Sequence, residues 1–188
     1  MDTKFSIVIP VHNVASFLRE CLDSVLAQTF TDWEAICVDD GSTDGSGAIL
    51  DEYAVRDARF QVIHKKNAGV SAARNDAIVV ATGEYVCFLD GDDVLAKDWL
   101  TKIAVATLGG KADLVRMSFT FWMNGDRGET LPKCSDDSAC EIYQGADDVI
   151  AWGWQKYTMD GYSWLNACRR VLLMENAVRF PVGMKINE

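Results

Sequence analysis

The sequence predicts an α/β protein with a Rossmann-like, doubly wound, mostly parallel sheet flanked by helices. Two observations carry this prediction. Short apolar runs alternate with segments of helical periodicity through residues 5–121, which is the pattern of strand–helix units in a parallel sheet. Polar or acidic residues follow directly where several of these runs end, as expected at the carboxyl edge of such a sheet, where α/β proteins place their ligands.

The strands are predicted from continuous apolar, β-favouring runs bounded by glycine, proline or polar loops. In chain order, the predicted strands are 5–11, 33–38, 60–64, 83–89 and 113–121. Pro10 ends the first of them, because proline cannot continue the ladder of a central strand. The second runs directly into Asp39 and Asp40, and the fourth runs into Asp90.

The helices between these strands are predicted from apolar residues spaced three and four apart, which place one apolar stripe toward a sheet. The predicted helices are 16–28, a segment around 49–54, 70–81 and 98–108. Polar loops separate the helices from the preceding strands, and the lysines of the loop at 65–69 are predicted to be solvated.

The composition is that of an ordered globular chain long enough to bury a core. A formal net charge of -10 argues against nucleic acid as a partner, because phosphate binding needs a basic surface. No run of about 18 apolar residues is present, so no membrane span is predicted, and the first residues lack a signal-peptide pattern. Six cysteines without paired metal spacing indicate reduced, packed thiols in the cytoplasm.

The stretch that ends the fourth strand carries the strongest chemical signal in the chain. Asp90, Asp92 and Asp93 follow a buried apolar run, and Gly91 lets the backbone bend tightly between them. Carboxylates this close repel each other unless a positive charge sits between them, and a hard divalent cation with oxygen ligands is the usual solution. The alternative is a solvated acidic turn that caps the next helix.

The pattern changes after Trp122. A turn is predicted at 124–125, a polar loop-like stretch at 129–141 and a helix at 145–154, followed by an aromatic-rich segment. We predict two halves within one compact domain: a donor-binding half at 1–122 and the start of an acceptor-binding half at 123–188. The alternative for the aromatic residues is a place in the core, since aromatic side chains dominate cores.

Several segments together resemble a known family. They are residues 6–13, 38–44, 67–75, 82–85 and 89–93. In this order and spacing they are similar to an inverting family 2 glycosyltransferase of the GT-A fold. Such an enzyme transfers a sugar, often a hexose, from a nucleotide-sugar donor.

The resemblance implies a nucleobase site at the exit of the first strand. It places Pro10, Val11 and Asn13 beside the base. Asp40 then accepts a hydrogen bond from the base, and Asp39 lies nearby. A carboxylate at a strand exit suits an N–H of a pyrimidine edge, and the alternative for Asp40 is a loop or helix cap.

The resemblance also implies a diphosphate and metal site. In the family pattern Arg74 faces the nucleotide. Asp90 and Asp92 form the metal motif, and Gly91 lies between them beside the donor. Asp92 coordinates Mn²⁺ or Mg²⁺ directly. Without a ligand, Arg74 is predicted to pair with Asp90 or Asp92, because its guanidinium suits carboxylate and phosphate equally. A purely structural salt bridge is the alternative.

The histidines and one later position complete the comparison with the family pattern. Members usually carry tyrosine at the position of His12, and His12 and His64 are predicted not to bind metal because no third ligand lies at metal spacing. Asn166 stands where the family often has lysine.

The catalytic base of the resembled family is an aspartate in a Glu-Asp pair downstream of a Phe-Pro-x-Gly stretch. This chain has that stretch at 180–183 and ends at Glu188, which matches the first member of the pair. We therefore expect the chain to be truncated at its C-terminal end. Asp160 is a second candidate on the acceptor side.

The function implied by the resemblance is metal-assisted sugar transfer with inversion from a UDP-sugar to a growing glycan or a lipid-linked acceptor. This places the protein in the cytoplasm, with peripheral contact at the inner membrane face as an open alternative. Two alternative functions make different demands on the sequence. A sugar-phosphate nucleotidyltransferase would want a glycine-rich basic loop after the first strand, which is absent. A non-catalytic nucleotide-sugar-binding module is favoured by the missing base and opposed by the intact Asp-x-Asp.

Overall fold

The structure is a computed structural model, and it describes residues 4–107, 109, 111–117, 119–123, 126–131, 141–143 and 166–183, with 119–123, 126–131 and 141–143 described for the backbone only. The strands are β1 (Phe5–Val11), β2 (Trp33–Asp40), β3 (Phe60–Lys65), β4 (Tyr85–Phe88), β5 (Leu114–Arg116), β6 (Phe119–Met123), β7 (Asp126–Leu131), β8 (Glu141–Tyr143) and β9 (Asn166–Arg169). The helices are α1 (Ala15–Leu26), α2 (Ser46–Arg56), α3 (Val70–Val80), α4 (Trp99–Ala106) and α5 (Arg170–Glu175).

Seven of these strands form one sheet in the order β3-β2-β1-β4-β9-β5-β8. The four strands from β3 to β4 pair in parallel. β9 inserts antiparallel to both β4 and β5, and β8 is antiparallel to β5. The carboxyl ends of β2, β1 and β4 are therefore neighbours at one edge of the sheet.

Both faces of the parallel part are covered, so the predicted doubly wound α/β fold is confirmed. One apolar layer joins β1 and β2 to α1, α2 and α4 through residues such as Ile9, Leu22 and Leu50. The other layer packs α3 and α5 on the opposite face, with Val8, Ala77 and Leu173 among its members. The cysteines that the structure describes at 21, 37, 87 and 168 are free thiols. No helix among the described residues has the length and apolar character that crossing a bilayer requires.

Several predicted boundaries differ from the structure, beginning with β1, which continues one residue past Pro10 and pairs Val11 with Asp39. β2 continues through both acids instead of ending at 38, and it pairs Asp39 with His64 and Asp40 with Lys65 of β3. The single strand predicted at 113–121 is wrong, since β5 belongs to the large sheet and β6 pairs with β7 in a separate one. The polar loop predicted from 129 is also wrong at its start, because β7 extends to 131. The helix predicted at 145–154 lies outside the described residues.

The second predicted half contributes directly to the same sheet, because β9 lies between β4 and β5. Its following helix, α5, packs through Leu173 against the layer that contains α3. The division at residue 122 into donor and acceptor halves stays a prediction.

At the amino edge of the sheet, Glu34 is buried and fully engaged. It accepts hydrogen bonds from Ser6 Oγ (2.6 Å) and the backbone N–H of Thr82 (2.7 Å). Lys4 Nζ and the Gly83 N–H approach it as well, each at 3.2 Å. Burial by itself raises the pKa of Glu34, but the bonds from Ser6, Thr82 and Lys4 outweigh it and lower the pKa to about 2. Glu34 thereby fastens the loop before β4 to β1 and β2.

Candidate functional site

The candidate site lies at the carboxyl edge of the sheet, where β2, β1 and β4 end side by side. Pro10 and Val11 are buried strand residues, in register with Val38 and Asp39 of β2. Both residues are withdrawn from solvent, so the loops that follow the strands supply the exposed side chains of this edge.

Asp40 holds the loop that leads into α3. Its carboxylate is only 2% exposed and accepts backbone N–H groups from Ala68 (2.9 Å to Oδ1) and Gly69 (2.7 Å to Oδ2). These bonds satisfy backbone donors of the loop before α3, which is the loop-capping alternative that the sequence left open, whereas the helix itself has no side-chain cap. The predicted contact between Asp40 and a nucleobase stays a prediction.

Asp39 performs the same function for the next loop. Its Oδ1 accepts the backbone N–H of Ser42 at 2.9 Å, and its Oδ2 lies 2.9 Å from Nδ1 of His64 on β3. Burial by itself raises the pKa of Asp39, but the hydrogen bonds from Ser42 and His64 outweigh it, so the pKa lies below its ordinary value. Asp39 is thus ionised and committed to protein partners.

Asn13 joins the exits of β1 and β2. It adopts the left-handed conformation (φ 55°), which asparagine tolerates better than most residues. Its backbone N–H donates to Ser42 Oγ (3.1 Å), and its Oδ1 accepts the Thr43 N–H (2.8 Å). Sequence reasoning missed Ser42 and Thr43, although both belong to the segment at 38–44 that carried the family resemblance.

The Thr43 contact also decides the protonation pattern of His12. Because Asn13 Oδ1 accepts an N–H, its Nδ2 must be the donor toward His12 Nε2 at 3.1 Å. Nδ1 of His12 then carries the proton and donates to the carbonyl oxygen of Asp40 at 2.9 Å. His12 is therefore a neutral imidazole at the strand exit, in a position where the resembled family carries a phenol.

The acidic turn follows β4. The Asp93 N–H donates to the carbonyl of Asp90 at 3.0 Å and closes a tight turn, within which a Cβ at Gly91 would lie 3.1 Å from Val14 Cγ2. Asp92 is exposed and Asp93 half-buried. Burial, and then the negative charges of Asp90 and Asp92, raise the pKa of Asp93 to about 6. The turn therefore brings three carboxylates close together, and Asp93 belongs to this group although it was not predicted as a site residue.

Arg74, on the first half of α3, is the cation beside this turn. Its Nη2 donates to Asp90 Oδ1 at 2.7 Å, which is one of the two pairings predicted for the protein without ligand. Its side chain is 13% exposed, and its buried Nε has no hydrogen-bond partner among the residues that the structure describes. This buried donor is therefore left unsatisfied within the described residues.

Phe180 packs against the Arg74 guanidinium, and Asn75 fixes the backbone of Phe180. Sequence reasoning missed both roles. The Arg74 Cζ lies 5.3 Å from the centre of the Phe180 ring, which packs edge-on against Phe88 at 5.3 Å between ring centres. The amide of Asn75 donates to the Phe180 carbonyl and accepts its N–H, both at 2.9 Å. These partners are 105 residues apart in sequence, so no local signal indicates them.

The remaining predicted site residues separate into two groups. Asn166 is described, in β9, opposite Arg116 of β5. Glu188 and Asp160, the candidates for the acceptor side, lie outside the described residues. Within the described part of the chain, no three His, Cys, Asp or Glu side chains are grouped closely enough to hold a metal ion.

Comparison with known proteins gives a consistent family. The chain matches the family model for glycosyl transferase family 2 over residues 6–164. The uncharacterized glycosyltransferase EpsJ of Bacillus subtilis (strain 168) is 42% identical over 127 residues, which are 68% of this chain and 37% of that protein. The poly(ribitol-phosphate) beta-glucosyltransferase of Bacillus spizizenii is 34% identical over 189 residues, covering 98% of this chain and 28% of that protein.

Solved structures match along nearly the whole chain. Residues 1–349 of S. aureus TarS superpose with a TM-score of 0.78 at 26% identity, covering 98% of this chain and 52% of that one. The same protein in complex with UDP-GlcNAc gives 0.73 at 25% identity, covering 98% of this chain and 50% of that one. The match agrees with the predicted GT-A fold, and this chain spans about half or less of the length of these relatives.

Proposed function

The chain belongs to glycosyl transferase family 2, and on that premise we propose that it binds the nucleotide-sugar donor of a metal-assisted, inverting glycosyltransferase. The donor is a UDP-sugar, bound across the carboxyl ends of β2, β1 and β4. The observation that carries the proposal is the meeting of three strand exits there: the Asn13 loop, the Asp39–Asp40 pair and the acidic turn that begins at Asp90.

The proposed base site is formed by backbone and small polar groups. Pro10, Val11 and Asn13 line the exit of β1, and Asp40 lies behind them, with Asp39 bracing the neighbouring loop. Each oxygen of a carboxylate has two lone pairs, so Asp40 can accept a base N–H while it holds Ala68 and Gly69. The neutral His12 imidazole offers an aromatic face at the same strand exit.

The acidic turn fits a divalent cation. Asp90, Asp92 and Asp93 supply hard oxygen donors, and Arg74 pairs with Asp90 only. Asp92, which is exposed, and Asp90 would hold Mn²⁺ or Mg²⁺. When bound, such an ion neutralises the charge that develops on the leaving diphosphate. Gly91 leaves room for Val14 beside the turn, since a Cβ there would lie 3.1 Å from Val14 Cγ2.

Arg74 is the protein's own cation for the donor. Its pairing with Asp90 leaves the buried Nε without a partner among the described residues, and a guanidinium binds phosphate oxygens well. We propose that Arg74 orients the diphosphate while Phe180 keeps the guanidinium plane in place.

The sugar and the acceptor belong to the same proposal. The UDP-GlcNAc complex of the TarS neighbour supports a UDP-hexosamine or other UDP-hexose as donor. The poly(ribitol-phosphate) beta-glucosyltransferase relative supports a surface glycan, free or lipid-linked, as acceptor. We place donor binding in residues 1–122 and acceptor binding in the part that begins at 123, with Glu188 on the acceptor side. Such acceptors place the protein in the cytoplasm, in peripheral contact with the inner membrane face.

Calorimetry with UDP, with and without Mn²⁺, tests the proposal. Asp92→Asn should abolish metal-dependent UDP binding, because it removes the exposed ligand charge. Asp98→Asn is the matched control, since Asp98 is an exposed carboxylate near the turn that pairs only with Lys102 among the described residues. Failure of the unaltered chain to bind UDP, or retained Mn²⁺-dependent affinity in Asp92→Asn, would contradict the proposal.

A further inference from the structure

A histidine outside the predicted site connects to it through an unbroken series of hydrogen bonds. His64 on β3 contacts Asp39 through Nδ1 and Asp51 of α2 through Nε2, each at 2.9 Å. Ionised carboxylates only accept hydrogen bonds, so both contacts are satisfied together only when both ring nitrogens carry protons. The geometry therefore requires His64 as an imidazolium.

The bonds continue from Asp39 into the nucleobase loops. Asp39 Oδ1 accepts the Ser42 N–H, and Ser42 Oγ accepts the N–H of Asn13, the residue in the left-handed conformation. The position of Asn13 thus depends on Ser42, and the position of Ser42 depends on Asp39. His64 holds the second oxygen of Asp39, so it sits at the outer end of this series.

Helix α2 is shaped around the same contact. A Cβ on Gly47 would come 2.8 Å from Asp39 Oδ2 and 3.4 Å from His64 Cε1. Gly47 is the second residue of α2, and its missing side chain lets the first turn of the helix approach the Asp39–His64 contact. This close approach is a second, independent sign that the contact is built into the fold.

The charged groups that face His64 are these two carboxylates, Asp39 from β2 and Asp51 from α2. Lys65, the next residue on β3, pairs with Asp76 of α3, on the opposite face of the sheet. The hydrogen bonds to Asp39 and Asp51 raise the pKa of His64 above its ordinary value. The imidazolium therefore persists to a higher pH than in the unfolded chain and is lost as pH rises through the folded pKa.

We propose that His64 is a positioning residue for the donor site: its charged form fixes Asp39, and through Ser42 it fixes Asn13, so that nucleotide binding weakens when His64 loses its proton. This inference rests on the proposed function, since it assumes that the Asn13 loop contacts the donor. A purely structural tie between β3 and α2 would leave nucleotide binding independent of the protonation of His64.

The test is calorimetry of UDP with Mn²⁺ at a series of pH values from 6 to 8.5, on the unaltered chain and on His64→Gln. We expect the affinity of the unaltered chain to fall about three- to fivefold more than that of His64→Gln across this range. The Gln variant carries no charge to lose, so it reports the background titration of UDP and Mn²⁺. Identical pH profiles for the two proteins overturn the inference.

Two further variants keep the test decisive should His64→Gln fold poorly. Asp51→Asn removes one carboxylate from His64 and leaves Asp39 in place, so the pH at which binding weakens should move down. Gly47→Ala adds a methyl group against Asp39 Oδ2 and should weaken UDP binding at every pH. Unchanged binding profiles in both variants contradict the proposal.

A measurement without ligand separates this inference from the proposed function. The chain has two histidines, so the Cε1–H signal of His64 is assigned by its loss in His64→Gln. The backbone amide signals of Ser42, Thr43 and Asn13 should titrate with the His64 midpoint. Amides that stay fixed overturn the inference whether or not UDP binds. Amides that titrate in a chain that binds no UDP leave the positioning series intact and count against the donor site.

Discussion

At the amino edge of the sheet, Glu34 is buried among six donor groups from Ser6, Thr82, Gly83, Lys4 and Gln61, and its pKa is lowered to about 2. At the carboxyl edge, Asp93 is partly buried beside two further acids, and its pKa is raised to about 6. Both are carboxylates next to a strand of one sheet. The difference lies in what acts on each pKa: hydrogen-bond donors outweigh the effect of burial at Glu34, whereas burial, and then the charges of Asp90 and Asp92, raise the pKa of Asp93.

This contrast separates stability from ligand binding. A carboxylate whose pKa lies below its unfolded value stabilises the folded state when ionised, and one whose pKa lies above it destabilises that state. Glu34 therefore strengthens the scaffold, while the ionised turn at Asp93 costs stability that the proposed cation would restore on binding.

The largest change in the free energy of unfolding is expected for a substitution of Glu34 at the amino edge. Glu34→Gln keeps the shape of the side chain but removes the charge and turns an amide N–H toward Ser6 and Thr82, so we expect a loss of about 3 kcal/mol in the free energy of unfolding. Urea denaturation measures it. Glu52→Gln is the control, because Glu52 is exposed and pairs on the surface with Arg19; a loss for Glu34→Gln no greater than that for Glu52→Gln would break the comparison.

The same residue predicts how stability changes in acid. The pKa of Glu34 is lowered from 4.5 to about 2, so its contribution is complete above pH 4.5 and is lost as pH falls toward 2. We expect this loss to be on the order of 2 kcal/mol. Urea denaturation at a series of pH values measures how the free energy of unfolding depends on pH in the unaltered chain and in Glu34→Gln. The curve of Glu34→Gln should be flatter than that of the unaltered chain between these pH values, and parallel curves would refute the assignment.

The parts of the fold that were predictable from sequence are those with local signals. Apolar runs and helical spacing located β1 to β4 and α1 to α4 within a few residues, and the Asp90–Asp93 turn was visible because its residues are adjacent. β2 extended two residues further than predicted, because Asp39 and Asp40 can pair with β3 and still direct their carboxylates to Ser42 and Gly69. Acidic residues usually end a strand, and here tertiary contacts override that preference.

The contacts that the sequence could not indicate join distant segments. In the sequence Glu34 is an ordinary polar residue within a strand, and only the structure shows that Ser6 and Thr82 lie beside it. The pair of Asn75 and Phe180 and the bridge from His64 to Asp39 have the same character. Each depends on which elements become neighbours in space, and a periodicity pattern carries no information about that.

The carboxyl edge also contains a satisfied pair, because the Asn75 side chain makes two hydrogen bonds with the backbone of Phe180. This pair can be compared with the acidic turn at the same edge. Asn75→Ala leaves the N–H and C=O of Phe180 without their amide partner, so we expect a loss of about 1.5 kcal/mol in unfolding free energy. Asn176→Ala is the control, since the Asn176 amide makes an exposed bond to the Leu172 carbonyl. Equal stability of the two variants in urea would show that Asn75 does not hold the segment around Phe180.

The smallest expected change in the free energy of unfolding is a gain instead of a loss, and it comes from a substitution of Asp93. Its sign directly tests whether the two edges differ. Because the folded pKa of Asp93 is about 6 against an ordinary 3.8, its ionisation destabilises the fold as pH rises through this interval. Asp93→Asn should therefore raise the free energy of unfolding by about 1 kcal/mol at pH 7.5, after allowance for partial solvent screening. The gain should vanish near pH 4, where Asp93 is protonated in the folded chain. Urea denaturation at the two pH values, with Asp98→Asn as control, measures both. A variant less stable than the unaltered chain at pH 7.5 would mean that Asp93 is compensated as Glu34 is, and the two edges would no longer differ in kind.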